Sequence, residues 1–150
     1  MNLEDLRASS ILVGRLTDKE FSLFETMAAE LELAEDEVLF RENQEARRFF
    51  IITKGIISLE VERPAKPSTT VATLGDGALV GLSWRLTPHR WMWTARALTP
   101  TKLAVFDAAA MRQACEDDPE LNLLMWEVVA REASQRLHHT RIQMLDLYGK

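Results

Sequence analysis

The sequence predicts an α+β protein, mainly β: about eight short strands forming a sandwich or barrel, one firm helix before them and two after, the last long. Three observations carry this. From Glu30 to Phe106 the chain breaks into ELELA, EVLFRE, RRFFIITKG, IISLEVE, TTVATL, GALVG, RWMWTARAL and TKLAVFD, most of them alternating with period two or rich in β-branched and aromatic residues. Turn residues punctuate these segments. After Phe106 the period becomes helical, and from Glu120 to Tyr148 neither Gly nor Pro interrupts it.

Residues 1–29 read as a helical lead-in. Leu3 to Arg7 starts a short helix, and Ile11 to Leu16 is an apolar run that breaks at Gly14. Thr17 with Glu20 makes a capping box for a helix reaching about Ala29, with Phe21, Leu23, Phe24, Met27 and Ala28 at apolar spacing. Residues 30–106 form the β-region. Leu31 and Leu33 alternate with Glu30 and Glu32, and Leu59 and Val61 with Ser58, Glu60 and Glu62, so each strand has one dry and one wet face. Asn43 in RENQEA stands where a turn wants a left-handed residue, and Gly55, Gly75 and Gly77 mark further turns. RPAKPST, Arg63 to Thr69, reads as an exposed loop.

Residues 107–148 are helical. Asp107 caps AAAMRQACE, and Asp118 caps the last helix with Pro119 in its first turn. Leu123, Trp126, Ala130, Ala133, Leu137, Thr140, Met144 and Leu147 follow steps of three and four, a heptad stripe on about 45 Å of helix. A helix that long outruns a small β-domain. Its stripe is expected to meet the same helix of a second subunit, the alternative being a helix folded back along its own domain.

At 150 residues and 47% hydrophobic, the chain fits one domain spanning 1–150. A net charge of −5 argues against direct nucleic-acid contact and against anionic lipid. The single Cys115 allows no internal disulfide, which suits a reducing cytoplasm. The acidic start MNLEDLR is no signal peptide, and no apolar run is long enough to span a bilayer. His89, His138 and His139 are too few and too badly placed for a metal site, Asp117, Asp118 and Glu120 read as caps, and no Ser has a His–Asp arrangement beside it. No enzyme and no cofactor are expected.

The unusual residues concentrate in Gly81 to Ala97, GLSWRLTPHRWMWTARA, which holds three of the four tryptophans. Indoles supply flat apolar area and Arg a planar fork for phosphate or carboxylate, so the stretch reads as a ligand pocket or, equally, as core filled by Trp84, Trp91 and Trp93. On strict alternation Trp91, Trp93, Ala95 and Ala97 share one strand face and Met92, Thr94, Arg96 and Leu98 the other, so Arg96 and Trp91 are not expected in one pocket unless a bulge or a late strand start intervenes.

The element order, with FRENQEARRFFIITKGIISLEV, GDGALVGLSW and ARALTPTKLAVFD in their places, resembles the cyclic-nucleotide-binding domain of the Crp/Fnr superfamily over nearly the whole chain. The resemblance implies a double-stranded β-helix, or jelly roll, closed by helices, with the last helix as dimer interface. It also implies a phosphate-binding cassette that opens with Gly-Glu and closes with Arg and two small residues. The Glu would accept from the ribose hydroxyl, and the Arg with helix N-terminal amides would hold the cyclic phosphate. Here Gly81 matches but Leu82 replaces the Glu; Trp91 falls near the Arg position, with Met92 and Trp93 where small residues belong, and a one-residue slip puts Arg90 there instead. The Trp-rich pattern, SW, then P and RW, then ARA, is similar to that of stand-alone bacterial members. Gly81, Leu82, Ser83, Trp84, Arg90, Trp91, Met92 and Arg96 are therefore the candidate ligand residues, amides around Ser83 being a place for a small anion.

These readings combine into a dimeric sensor or regulatory module with an altered cassette, for which a small anion or nucleotide is the expected ligand, cyclic nucleotide being disfavoured. The alternative is a structural or protein-interaction module whose pocket tryptophan closes. The sequence read carries no helix-turn-helix after the long helix, so no DNA contact is expected, and it does not name a protein partner.

Overall fold

The computed structural model describes residues 3–148, except for the side chains of 139, 140, 142–144 and 146–148. A 3-10 turn, Leu3–Leu6, leads into two helices, α1 (Ile11–Gly14) and α2 (Asp18–Met27). Eight strands follow: β1 (Ala29–Leu33), β2 (Val38–Phe40), β3 (Arg48–Lys54), β4 (Ile57–Arg63), β5 (Lys66–Leu74), β6 (Leu79–Val80), β7 (Thr94–Ala97) and β8 (Thr101–Asp107). Helices α3 (Ala108–Asp117) and α4 (Pro119–Tyr148) end the chain. The capping box at Thr17 is complete, since its hydroxyl accepts from the Glu20 amide while the Glu20 carboxylate accepts from the Thr17 amide. Asp107 and Asp118 cap the two C-terminal helices through their carboxylates.

The strands form two antiparallel four-stranded sheets, β1-β8-β3-β6 and β2-β7-β4-β5, the order of a jelly roll. The two central strands of the first sheet, β3 and β8, are dry on both faces. Phe49 and Ile51 of β3, and Ala104 and Phe106 of β8, face the helices, where Phe24, Met111, Leu121, Met125 and Val128 cover them. Phe50 and Ile52, with Leu103 and Val105, face the interior of the roll. Strands covered on both sides explain why RRFFIITK and TKLAVFD read as continuous apolar runs rather than as alternation.

Two local readings change. Arg63 to Thr69 is not a loop, because β4 runs to Arg63 and β5 begins at Lys66, pairing Arg63 with Lys66 around a tight turn at Pro64 and Ala65. β5 is a sheet edge, where Pro67 and exposed polar side chains are tolerated. The segment RWMWTARAL is not a strand from Arg90 onward, since β7 starts only at Thr94. The short run at Ile11 is itself one helical turn, capped by Ser10.

Along α4, Leu121, Leu124, Met125, Val128 and Val129 pack on the body. The stripe residues Leu123, Trp126, Ala130, Ala133 and Leu137 turn outward, Leu123 at 70% and Leu137 at 72% exposure. Thr140, Met144 and Leu147 lie beyond the described side chains.

Candidate ligand-binding site

The site is built between two distant turns. Asn43, at φ 68° in the β2–β3 turn, donates its amide to the Trp91 carbonyl at 2.9 Å, and the Trp91 amide donates to the Gln44 carbonyl at 2.9 Å. Ala46 closes the zipper by donating to the His89 carbonyl at 2.7 Å. This pairing decides which way the Arg90-Trp91 dipeptide faces. Arg90 points out and donates to the Asn43 carbonyl at 2.7 Å, while Trp91 points in and stacks on Phe40 at 3.9 Å between ring centres. Asn43 holds its left-handed backbone at low cost because its short polar side chain tolerates that region.

The indole of Trp91 leaves no room at Gly81. A Cβ there would lie 2.6 and 2.8 Å from Cζ3 and Cη2 of Trp91, and Gly81 has φ +89°. Leu82 to Leu86 then form consecutive turns rather than a helix, the amides of Arg85 and Leu86 donating to the carbonyls of Leu82 and Ser83. Ser83 is buried beside them.

A cavity of about 250 Å³ opens in front of this arrangement. Trp91, Trp93, Phe40 and Leu59 form its wall in the roll, and Gly81, Leu82, Ser83 and Leu86 its floor in the turn. Ala133, Arg136 and Leu137 of α4 make the far side, and Met92, 64% exposed, sits at the mouth. Ser83 and Arg136 are the polar side chains among the described lining residues.

Of the candidate residues, Gly81, Leu82, Ser83, Trp91 and Met92 thus line the cavity, whereas Trp84, Arg90 and Arg96 do not. Trp84 is completely buried on the helix side of the first sheet, stacked on Phe49 at 4.5 Å, because the turn carries it away from the roll. Arg96 lies on the outer face of β7, between the inward Ala95 and Ala97, and ion-pairs with Glu60 at 2.6 Å and Asp36 at 2.7 Å. The late start of β7 lets Trp91, Met92 and Trp93 all reach the cavity, which a regular strand forbids. Phe40, Leu59, Leu86 and Arg136 are not among the sequence's candidates, and Ala133 and Leu137, expected only at a dimer interface, line the cavity as well. The sequence holds no local signal for Arg136, which lies one position before the stripe residue Leu137.

Three arginines fasten this segment to the helices. Arg112 of α3 donates to the Trp84 carbonyl at 2.7 Å, and Arg136 donates to the Leu79 carbonyl at 2.5 Å. Arg85 bonds the Asn122 side chain and lies over the Trp126 ring at 4.4 Å. Burial lowers the pKa of Arg136, with Glu132 at 3.8 Å opposing the shift. Burial likewise pushes the Cys115 thiol up, so it stays protonated.

The family model for the cyclic nucleotide-binding domain matches residues 30–118, more than half of the chain. The chain belongs to the cyclic nucleotide-binding domain family. Among solved structures, it is similar to a cyclic nucleotide-binding protein from Geobacter metallireducens GS-15, with 25% identity, TM-score 0.81, and coverage of 92% of this chain and 99% of that one. A cyclic nucleotide-binding domain from Methylobacillus flagellatus KT shares the fold at 18% identity and TM-score 0.81, covering 96% and 83%. The N-terminal domain of a transcriptional regulator from Streptomyces coelicolor A3(2) does so at 24% identity and TM-score 0.70, covering 87% and 93%. No curated protein matches the sequence. As a cyclic nucleotide-binding domain, the chain has the fold of a sensor or regulatory domain. Among the described residues no helix is long and apolar enough to cross a membrane, and no three His, Cys, Asp or Glu side chains cluster as a metal site.

Proposed function

We propose that this domain is a ligand-responsive regulatory module, dimeric through α4, whose altered cassette does not take cyclic AMP or cyclic GMP. The observation that carries the reading is the place of Trp91. Its indole lies against Gly81 and Phe40, where the family resemblance calls for a phosphate-binding Arg, while Arg90 turns outward and Arg96 is committed to Glu60 and Asp36. The side chain of Leu82 beside it offers no hydrogen-bond acceptor, and no carboxylate lines the cavity among the described residues to receive a ribose diol. A ribose hydroxyl left unpaired costs about 1–3 kcal/mol, and a missing charged bond to the phosphate about 1.5–3. Together they weaken binding by roughly two to four orders of magnitude.

The open cavity favours a sensor over a module whose pocket tryptophan has closed. The charge of −5 supports the absence of direct nucleic-acid contact, and the lone buried Cys115 supports a reducing compartment such as the cytoplasm. Thermal-shift measurement with nucleotides tests the ligand reading. At about 1 mM, a nucleotide with a Kd near 1 μM would add about 4 kcal/mol, a rise of roughly 10 °C for a domain of this size. We expect no such rise with either cyclic nucleotide, and one would overturn the altered-cassette reading.

The outward stripe Leu123, Trp126, Ala130, Ala133 and Leu137 supports the dimer, since a continuous apolar helix face favours a partner helix. Light scattering at tens of micromolar should give the dimer mass for the wild type and the monomer mass for Leu137→Glu. Because Leu137 is 72% exposed, the substitution should leave the thermal midpoint of the monomer nearly unchanged. A monomeric wild type removes the assembly from the reading.

A further inference from the structure

We propose that the cavity in front of Gly81 takes a neutral, planar aromatic ligand of bicyclic size, whose hydrogen-bonding group meets the Ser83 hydroxyl. The proposal rests on the reading above in treating this cavity as the ligand site. The observation that points to a ligand is Ser83 itself. It is 5% exposed and lines the cavity, yet its hydroxyl makes no hydrogen bond to any described residue. A buried hydroxyl left without a partner costs free energy that a ligand group within hydrogen-bond reach recovers. Because a hydroxyl both donates and accepts, it serves a phenol or an aromatic nitrogen equally.

The walls set the body of the ligand and disfavour a charge on it. Phe40, Trp91 and Trp93 offer aromatic surface and Leu59 and Leu82 aliphatic surface, against which a flat ring packs well. An apolar cavity of about 150 Å³ accommodates benzene. At about 250 Å³ this one suits a bicyclic aromatic. Neither a carboxylate nor a Lys lines it among the described residues. Arg136, the charged side chain there, is already engaged: it donates to the Leu79 carbonyl at 2.5 Å, stands 3.8 Å from the Glu132 carboxylate, and has its Nε sealed from solvent. An anionic ligand would give up hydration without gaining a free cation, and a cationic one would meet no carboxylate. A ligand with many polar groups, such as a nucleobase, would leave most of them against apolar walls.

The probes are 2-naphthol, its apolar partner 2-methylnaphthalene and its anionic partner 2-naphthoate, titrated into the full chain and followed by quenching of tryptophan fluorescence. We expect 2-naphthol to bind the wild type with a dissociation constant at or below about 100 μM, and 2-naphthoate to bind at least about tenfold more weakly. Ser83→Ala should weaken 2-naphthol at least about threefold and change 2-methylnaphthalene by less than about twofold. Because the hydroxyl it removes has no partner among the described residues, the variant should keep a thermal midpoint within about 2 °C of the wild type, so that the change in binding reads the contact and not the fold. No binding of 2-naphthol by the wild type, tighter binding of 2-naphthoate, or an equal effect of Ser83→Ala on the two neutral probes overturns the proposal. If neither 2-naphthol nor cyclic nucleotide binds, the neutral aromatic class falls and the altered cassette stands; micromolar cyclic AMP in the same cavity overturns both.

Discussion

Replacing Arg96 by Ala should destabilise the domain by about 3–5 kcal/mol, because it strands a buried carboxylate. Glu60 is 4% exposed in its side chain and receives two bonds from Arg96, at 2.6 and 3.3 Å, and one from Ser68 at 3.1 Å. Burial alone pushes Glu60 upward, but the bonds from Arg96, Ser58 and Ser68 and the Arg96 charge outweigh it, leaving its carboxyl below the usual range. A carboxyl whose folded pKa is lowered contributes stability above its unfolded value of about 4.3, and that contribution is lost as pH falls through the folded value. In Arg96→Ala the bonds and charge that hold the carboxyl down are removed while its burial stays, so the loss is largest near neutral pH, and the urea midpoints of variant and wild type should draw together as pH falls through the lowered folded value. Arg96→Met with Glu60→Leu should recover more than half of the loss, since paired apolar replacements avoid the stranded charge. A single-variant loss under about 1 kcal/mol would refute this account of the pair.

Trp91→Ala should cost about 3–5 kcal/mol in urea unfolding, as expected for truncating a buried indole stacked on Phe40. Its coupling to Gly81 is the sharper result. In the wild type, Gly81→Ala combines backbone strain at φ +89° with overlap against Trp91, about 2–4 kcal/mol. In the Trp91→Ala background the overlap is gone and only about 1–2 kcal/mol of backbone strain remains. A double-mutant cycle reads the difference. Strict additivity would mean that the indole is not seated on Gly81.

What the sequence could and could not reveal follows from the range of the interactions. The capping box at Thr17, the caps at Asp107 and Asp118 and the left-handed Asn43 are set within three or four residues, and each stands as read. The jelly roll was legible through the order of such segments and through the family resemblance. The lie of residues 81–93 was not, because no period governs an irregular segment. Its direction depends on bonds from Asn43, Gln44 and Ala46, more than forty residues away, which turn Trp91 inward and Arg90 outward. Trp84 and Trp91 look alike in the sequence and end on opposite sides of one sheet. Arg136 carries no sequence signal for a related reason: the heptad marks which face of α4 is apolar, and says nothing of the polar position between that face and the body. The loop reading of Arg63 to Thr69 failed because Pro and Lys argue against a central strand but not against an edge.

The central claim is that the cassette segment is no longer a cyclic-nucleotide site, and isothermal titration of the wild-type chain with cyclic AMP and cyclic GMP tests it most directly. With Leu82 in place of an acceptor and Trp91 packed on Gly81, the account predicts no saturable heat at nucleotide concentrations of about 100 μM. A dissociation constant at or below about 1 μM for either nucleotide, roughly −8 kcal/mol, would contradict it.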